Sequence, residues 1–294
     1  MDLTVNIDNF KDFVNGSWDY DDKQQIHTSF WLKPKNMDVG GGIITIDEID
    51  VLRDYPYLDV ITISGLKQDT FEYFIIHYGK QFKAIRFFKN KLVNDWSSLG
   101  TLENLEFIYY FFNQRITSLW DMSRNTHLKG IYLNDFSRLK SLNGIQRAIN
   151  LECFGIGNAV WDKCVIDSFD CFTNTSIKHL FFGGKDIVDK DLSFLSKMDQ
   201  LEVFDFPTNL YTSQQVAWIV AHFPQLKGYS LMPYREITSY DKNNNPISYI
   251  LITGKGKRSF KKEGNEEKLK QYLIKFDKLV QRYKSVSYKD AFYD

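Results

Sequence analysis

Residues 102–119 read LENLEFIYYFFNQRITSL, and within them Phe107, Ile108, Tyr109, Tyr110, Phe111 and Phe112 stand in an unbroken row. Successive side chains of a β-strand point to opposite faces, so only alternate members of such a row can enter one core. Which set goes inward decides the fold. Where the other set goes decides the class of function.

The sequence around the row settles the first question. A phrase of apolar, two variable, apolar, one variable, apolar recurs along the chain. It runs through Leu58, Ile61 and Ile63, then Phe82, Ile85 and Phe87, then Leu105, Ile108 and Tyr110, then Leu128, Ile131 and Leu133. It returns at Leu151, Phe154 and Ile156, at Ile177, Leu180 and Phe182, at Leu201, Phe204 and Phe206, and at Leu226, Tyr229 and Leu231. The first members are spaced by 24, 23, 23, 23, 26, 24 and 25 residues. A period of this size marks a solenoid, in which each coil buries its apolar side chains only when a neighbour stacks on it.

The phrase resembles the leucine-rich repeat family, whose L-x-x-L-x-L-x-x-N pattern is met most fully by FKAIRFFKN (82–90) and LEFIYYFFN (105–113). The resemblance covers residues 58–233. It implies an α/β architecture: a curved leucine-rich-repeat solenoid of about eight parallel strands on a concave face, with mixed helical and irregular segments on the convex side and a cap at each end. The Asn position is filled by Asn90, Asn113 and Asn209, where an amide can bond backbone groups of adjacent coils. Elsewhere it is Leu66, Phe136, Ala159, Lys185 and Tyr234, so the Asn ladder is broken.

This divides the chain into an N-terminal cap (1–57), the repeats (58–233) and a C-terminal hairpin-plus-helix cap (234–294). Among the return segments, DTFEYFIIHYGKQF and TSQQVAWIVAHF have helical spacing, with Ser213 the expected cap, whereas VNDWSSLGTLEN is irregular. In the C-terminal part EITSYDKNNNPISYILIT places two strand-like runs around a polar turn. Leu269, Tyr272, Leu273, Phe276, Leu279, Val280 and Tyr283 then trace one helix face. The ends are oppositely charged, with 13 basic against 7 acidic residues over 241–294 and 5 against 11 over 1–57, which solvated caps explain.

With Leu105, Ile108 and Tyr110 in the core, Phe107, Tyr109 and Phe111 project onto the concave face. The same register brings Arg86 and Phe88 to one flank and Tyr132 to the other, with His179, Phe181 and Asp205 further along. Gly155, Gly157 and Gly183 leave a shallow place between Tyr132 and Phe181. Aromatic anchors around a recess suit recognition of another protein. The alternatives are that the chain itself, for example a loop from the cap, or a second copy in a homodimer, covers the rings.

Other classes find less support. The 37 Lys and Arg balance 37 Asp and Glu, so no global field draws the chain to nucleic acid or an anionic membrane. The first residues lack a secretion signal and no apolar run reaches membrane-spanning length, which points to a cytoplasmic protein. Cys153, Cys164 and Cys171 match no zinc spacing, and reduced thiols are expected. GKGKRSFKKEG (254–264) lacks P-loop spacing, and DEIDVLRD lacks the alternating oxygens and central Gly of a calcium loop and reads as the acidic face of a capping helix. His27, His77, His127 and His222 show no ligand spacing, and no cofactor is implied. Cys153 and His179 share a register on adjacent strands, which leaves a thiol-dependent enzyme as the alternative to a non-enzymatic binding module. Asp205 is diagonal to that pair, out of easy hydrogen-bond reach.

Overall fold

In a computed structural model, which describes residues 10, 13–14, 30–37, 41–157 and 163–293, the repeat phrase becomes a stack of parallel strands, joined at its N-terminal edge by β1 (Phe30–Leu32), which lies outside the phrase. The phrase supplies β2 (Val60–Ser64), β3 (Ala84–Phe88), β4 (Phe107–Phe111), β5 (Gly130–Asn134) and β6 (Cys153–Ile156). A short pair, β7 (Val165–Ile166) and β9 (Asp186–Ile187), forms a second parallel ladder, while β8 (His179–Phe182) and β10 (Val203–Asp205) continue the main one. The main sheet has the order β1-β2-β3-β4-β5-β6-β8-β10. Ile61, Ile85, Ile108, Ile131, Phe154, Leu180 and Phe204 lie opposite one another in register and are buried. The chain is therefore a curved α/β repeat solenoid, because only stacking of this kind gives each coil's apolar residues a neighbour on both sides.

The turn out of each strand repeats as well. Gly65, Lys89, Phe112 and Asp135 follow β2, β3, β4 and β5, and all four take left-handed backbone, with φ of 81°, 58°, 66° and 62°. Only glycine adopts this region without strain, so a bulky residue such as Phe112 is held there by what surrounds it. The holding groups come next in sequence. The buried Asn90 amide donates to the carbonyl of Ile63 at 2.9 Å and accepts from the amide of Leu66 at 2.8 Å. One coil on, Asn113 donates to the carbonyls of Asn90 and Val93 and accepts from the amides of Arg115 and Ile116.

The return segments are mixed. A capping box at Thr45 and Glu48 starts the short helix α1 (Ile46–Ile49), which runs on into a 3-10 turn over Asp50–Asp54. Asp50 of the expected acidic face is engaged rather than solvated. It accepts hydrogen bonds from the hydroxyls of Tyr73 and Tyr78 and pairs with Arg53, and these lower its carboxyl below the usual range. Helices α2 (Gln68–His77) and α3 (Ser213–His222) fall on the two segments with helical spacing. The cap of α3 is Thr212, one residue before Ser213. Thr212 accepts from the Gln215 amide, and Ser213 donates instead to the carbonyl of Thr253. The irregular segment contains only a 3-10 turn over Ser97–Thr101.

Two further expectations are corrected. The last repeat phrase forms no sheet strand: Tyr229 is 68% exposed and lies in a 3-10 turn, Tyr229–Leu231, leaving one isolated bridge from Val203 to Lys227. The Tyr229 amide donates to the Asp205 carboxylate, which diverts the chain from the ladder before Pro233. The eighth strand is β1 instead, from the segment read as N-terminal cap. Asn209 is exposed and holds no ladder. His27 and Ala159 lie outside the described residues, as does most of the segment 1–29.

Beyond the sheet, β11 (Tyr234–Tyr240) and β12 (Pro246–Ile252) pair as an antiparallel hairpin, with β13 (Phe260–Lys261) against β12. Helix α4 (Glu266–Tyr283) follows, then α5 (Tyr288–Phe292). Phe276, Tyr283 and Tyr288 are buried and join the main core, while Leu269, Tyr272, Leu273, Leu279 and Val280 are half-buried on the same helical face.

Candidate functional site

The concave face consists of three rows of side chains, set by the strand pleat. The row nearest the strand starts carries Val60, Ala84, Phe107, Gly130, Cys153, His179 and Val203. The N-terminal residues Phe10 and Phe13 lie over it, with ring centroids 5.4 and 5.8 Å from that of Phe107. Gly130 makes room for this lid, since a Cβ there would meet the Phe10 ring. Phe107 is accordingly 2% exposed and Tyr109 8%. Intramolecular cover, rather than open display, is what the structure shows for these two rings. They belong to a second, smaller apolar cluster on the outside of the sheet.

The middle row runs Trp31, Thr62, Arg86, Tyr109, Tyr132, Gly155, Phe181 and Asp205. Its rings stack. Tyr109 lies 5.9 Å from Tyr132, and Tyr132 lies 5.7 Å from Phe181, with planes only 19° and 22° apart. Gly155 stands between Tyr132 and Phe181 in register, and a Cβ there would collide with the Tyr132 ring. The glycine therefore does not leave a dip between the two aromatics; it lets Tyr132 lean across to Phe181. Arg86 closes the other end, its guanidinium 5.1 Å from the Tyr109 centroid and its Nη2 donating to the carbonyl of Val14. Burial raises the Tyr109 phenol and pushes that of Tyr132 up to about 12, so both hydroxyls are neutral at physiological pH.

The third row holds Ser64, Phe88, Phe111 and Asn134. Phe88 and Phe111 stack at 5.2 Å, and Trp31 meets Phe88 edge-on at 5.9 Å. The Trp31 indole donates to the Ser64 hydroxyl at 3.0 Å, which fixes a ring that is still 48% exposed. No sequence signal marked Trp31, because it sits on a strand that the repeat phrase does not include. Lys33 and Lys89 lie over the rings of Trp31 and Phe88 at 4.9 and 5.4 Å.

At the far end of the sheet a recess of about 240 Å³ opens beside Phe181, bounded by Phe10, Tyr132, Cys153, His179 and Asp205. Cys153 and His179 are register partners, as expected. Asp205 pairs in register with Phe181 rather than with His179. Its Oδ1 accepts from the backbone amide of Tyr229 at 2.6 Å. Burial pushes the thiols of Cys164 and Cys171 up to about 12. None of the three cysteines is disulfide-bonded. Among the described residues no cluster of His, Cys, Asp and Glu could hold a metal, and no helix is long and apolar enough to cross a membrane.

No protein-family model matches the sequence, and no curated protein matches it. Among solved structures the chain is similar to an internalin from Listeria monocytogenes, with 17% identity and a TM-score of 0.45. The alignment covers 64% of this chain and 50% of the internalin chain, so this chain spans about half of that one.

Proposed function

We propose that the chain is a non-enzymatic protein-binding module that engages a partner protein through the half-open aromatic part of the concave face, as an immunity or adaptor protein would. The observation that carries this reading is the pair of stacked ladders, Arg86–Tyr109–Tyr132–Phe181 and Trp31–Phe88–Phe111. Each ends in a large ring that its neighbours fix while leaving it exposed, Phe181 at 38% and Trp31 at 48%. Rigid, pre-positioned aromatics lose little entropy on being covered, which is why they dominate interface energetics. Phe107 and Tyr109 serve as the buried support of this surface. His179 and Asp205 form its polar edge, and no cofactor is involved.

The alternative, a thiol-dependent enzyme at Cys153 and His179, is favoured by their register, but Asp205, the third group that the sequence offers, lies opposite Phe181 rather than His179, and its Oδ1 accepts from the Tyr229 amide.

Affinity capture from the source cells, with the wild-type chain and with Trp31→Ala and Phe181→Ala as baits, tests the proposal. A protein held by the wild type and lost from both variants at unchanged melting temperature supports it. Retention of every captured protein by both variants overturns it. If the partner is a second copy of the chain, sedimentation will show a dimer that the same substitutions dissociate.

A further inference from the structure

The middle-row stack has two unlike ends. At one, the Arg86 guanidinium lies on the Tyr109 ring. At the other, the Phe181 ring is open and its register partner on β10 is the carboxylate of Asp205. We infer that the recess beside Phe181 receives an arginine side chain of the partner protein, its guanidinium against Phe181 and Asp205. The inference rests on the protein-binding reading above and gives the partner's contact a chemistry.

Charge points the same way. Asp205 is the carboxylate of the recess, and no lysine or arginine among the described residues lines it. The Tyr229 amide fixes Oδ1 of Asp205 at 2.6 Å, which orients the carboxylate while its second oxygen takes no hydrogen bond among the described residues. A fixed carboxylate with a spare oxygen loses little freedom on accepting a cation, and charge-assisted hydrogen bonds of this kind are the stronger ones.

Size and shape narrow the occupant. A volume near 240 Å³ lies below the roughly 300–1,000 Å³ of small-molecule sites and suits one long side chain. The walls are largely apolar, as the methylene stem of such a side chain requires. A planar guanidinium can lie flat on Phe181 and still donate to Asp205, which a lysine ammonium cannot do in the same geometry. The protein makes the first half of this contact with its own Arg86, four positions along the same row from Phe181.

The test uses n-butylguanidinium as the probe, with valerate as the anionic control, and follows the full-length chain by NMR of labelled aromatic and methyl groups. Saturable shifts at Phe181 and Leu180 with the cation and none with valerate are expected. Asp205→Asn, which keeps an acceptor for the Tyr229 amide, should weaken the probe by about tenfold, and Phe181→Ala should abolish saturation. Absence of saturable shifts in the wild type, equal binding to Asp205→Asn, or an equal response to valerate overturns the inference. The two readings fail separately. If the probe does not bind but Trp31→Ala and Phe181→Ala still lose the captured protein, the binding face stands and the arginine contact falls.

Discussion

The ring of Phe10 lies 5.4 Å, centroid to centroid, from the ring of Phe107, on the face of the sheet opposite the main core. The solenoid thus has apolar packing on both sides of β4, and the six-residue aromatic row is divided between them. Ile108 and Tyr110 enter the main core, Phe107 and Tyr109 enter the outer cluster, and only Phe111 and Phe112 keep substantial exposure. Phe107→Ala should therefore destabilise the protein by roughly 3–5 kcal/mol, in the same range as a core truncation. Ile108→Ala should cost about 2–5 kcal/mol. Phe10→Ala, which strips the lid, should cost roughly 1.5–3 kcal/mol. Urea midpoints of the three variants check this. A Phe107→Ala protein as stable as the wild type would mean that the lid does not close over it in solution.

The Asn positions give a contrast within one repeat motif. Asn113→Ala would strip hydrogen bonds from two carbonyls and two amides in a buried turn, and each orphaned buried group costs roughly 1–3 kcal/mol. Asn209 is exposed, so Asn209→Ala should change stability by less than about 0.5 kcal/mol. Thermal melts of the two variants side by side decide the matter; equal melting temperatures would remove the Asn113 bonds from any account of coil stability.

Much of this was legible in the sequence, and the misses have physical reasons. The spacing of Ile61, Ile85, Ile108 and their successors fixed both strand register and inward face, because a buried row tolerates no slip. The last phrase had the right letters but not the right neighbour: Leu231 is buried and Tyr229 is not, since the chain leaves the ladder for the β11 hairpin. Strand β1 was missed for the opposite reason, having its register partners but only three residues and no phrase. On the concave face, alternation gave the direction of Phe107 and Tyr109 but could not show that Phe10 and Phe13, nearly a hundred residues earlier, would lie on them. Asn125, which bonds the carbonyls of Leu99 and Leu102 and accepts from the Trp120 indole, escaped notice because it lies outside the phrase.

The cysteines separate the binding and enzymatic readings by a simple titration. Burial holds the Cys164 and Cys171 thiols near 12, above the ordinary value, so at pH 8 both are protonated and poor nucleophiles. Iodoacetamide should leave these two unmodified in the folded chain and alkylate all three cysteines after denaturation. Any native labelling then maps to Cys153, where a rate well above that of an ordinary thiol at pH 7 would favour the enzymatic alternative. Mass spectrometry of tryptic peptides reads each site separately.

The C-terminal helices show how the open end of the stack is closed. Helix α4 lies against α3, with Phe276 and Tyr283 buried in the shared core. The seal is also hydrogen-bonded: the Trp218 indole donates to the carbonyl of Val286 at 2.9 Å, Gln215 donates to the Tyr288 hydroxyl, and that hydroxyl donates to the carbonyl of Lys190. Tyr288 also meets Trp218 edge-on at 5.0 Å. Ending the chain after residue 264 would uncover Trp218 and the apolar face of α3, so the truncated protein should aggregate or lose most of its stability. Tyr288→Phe keeps the ring and removes only the hydroxyl, leaving the Lys190 carbonyl without that donor, and should cost about 1 kcal/mol. Light scattering on the truncation and a chemical melt of Tyr288→Phe make the comparison. A truncation that stays monodisperse and melts with the intact chain would show that α4 is an appendage, and its lysine-rich outer side would then have to be examined as a surface in its own right.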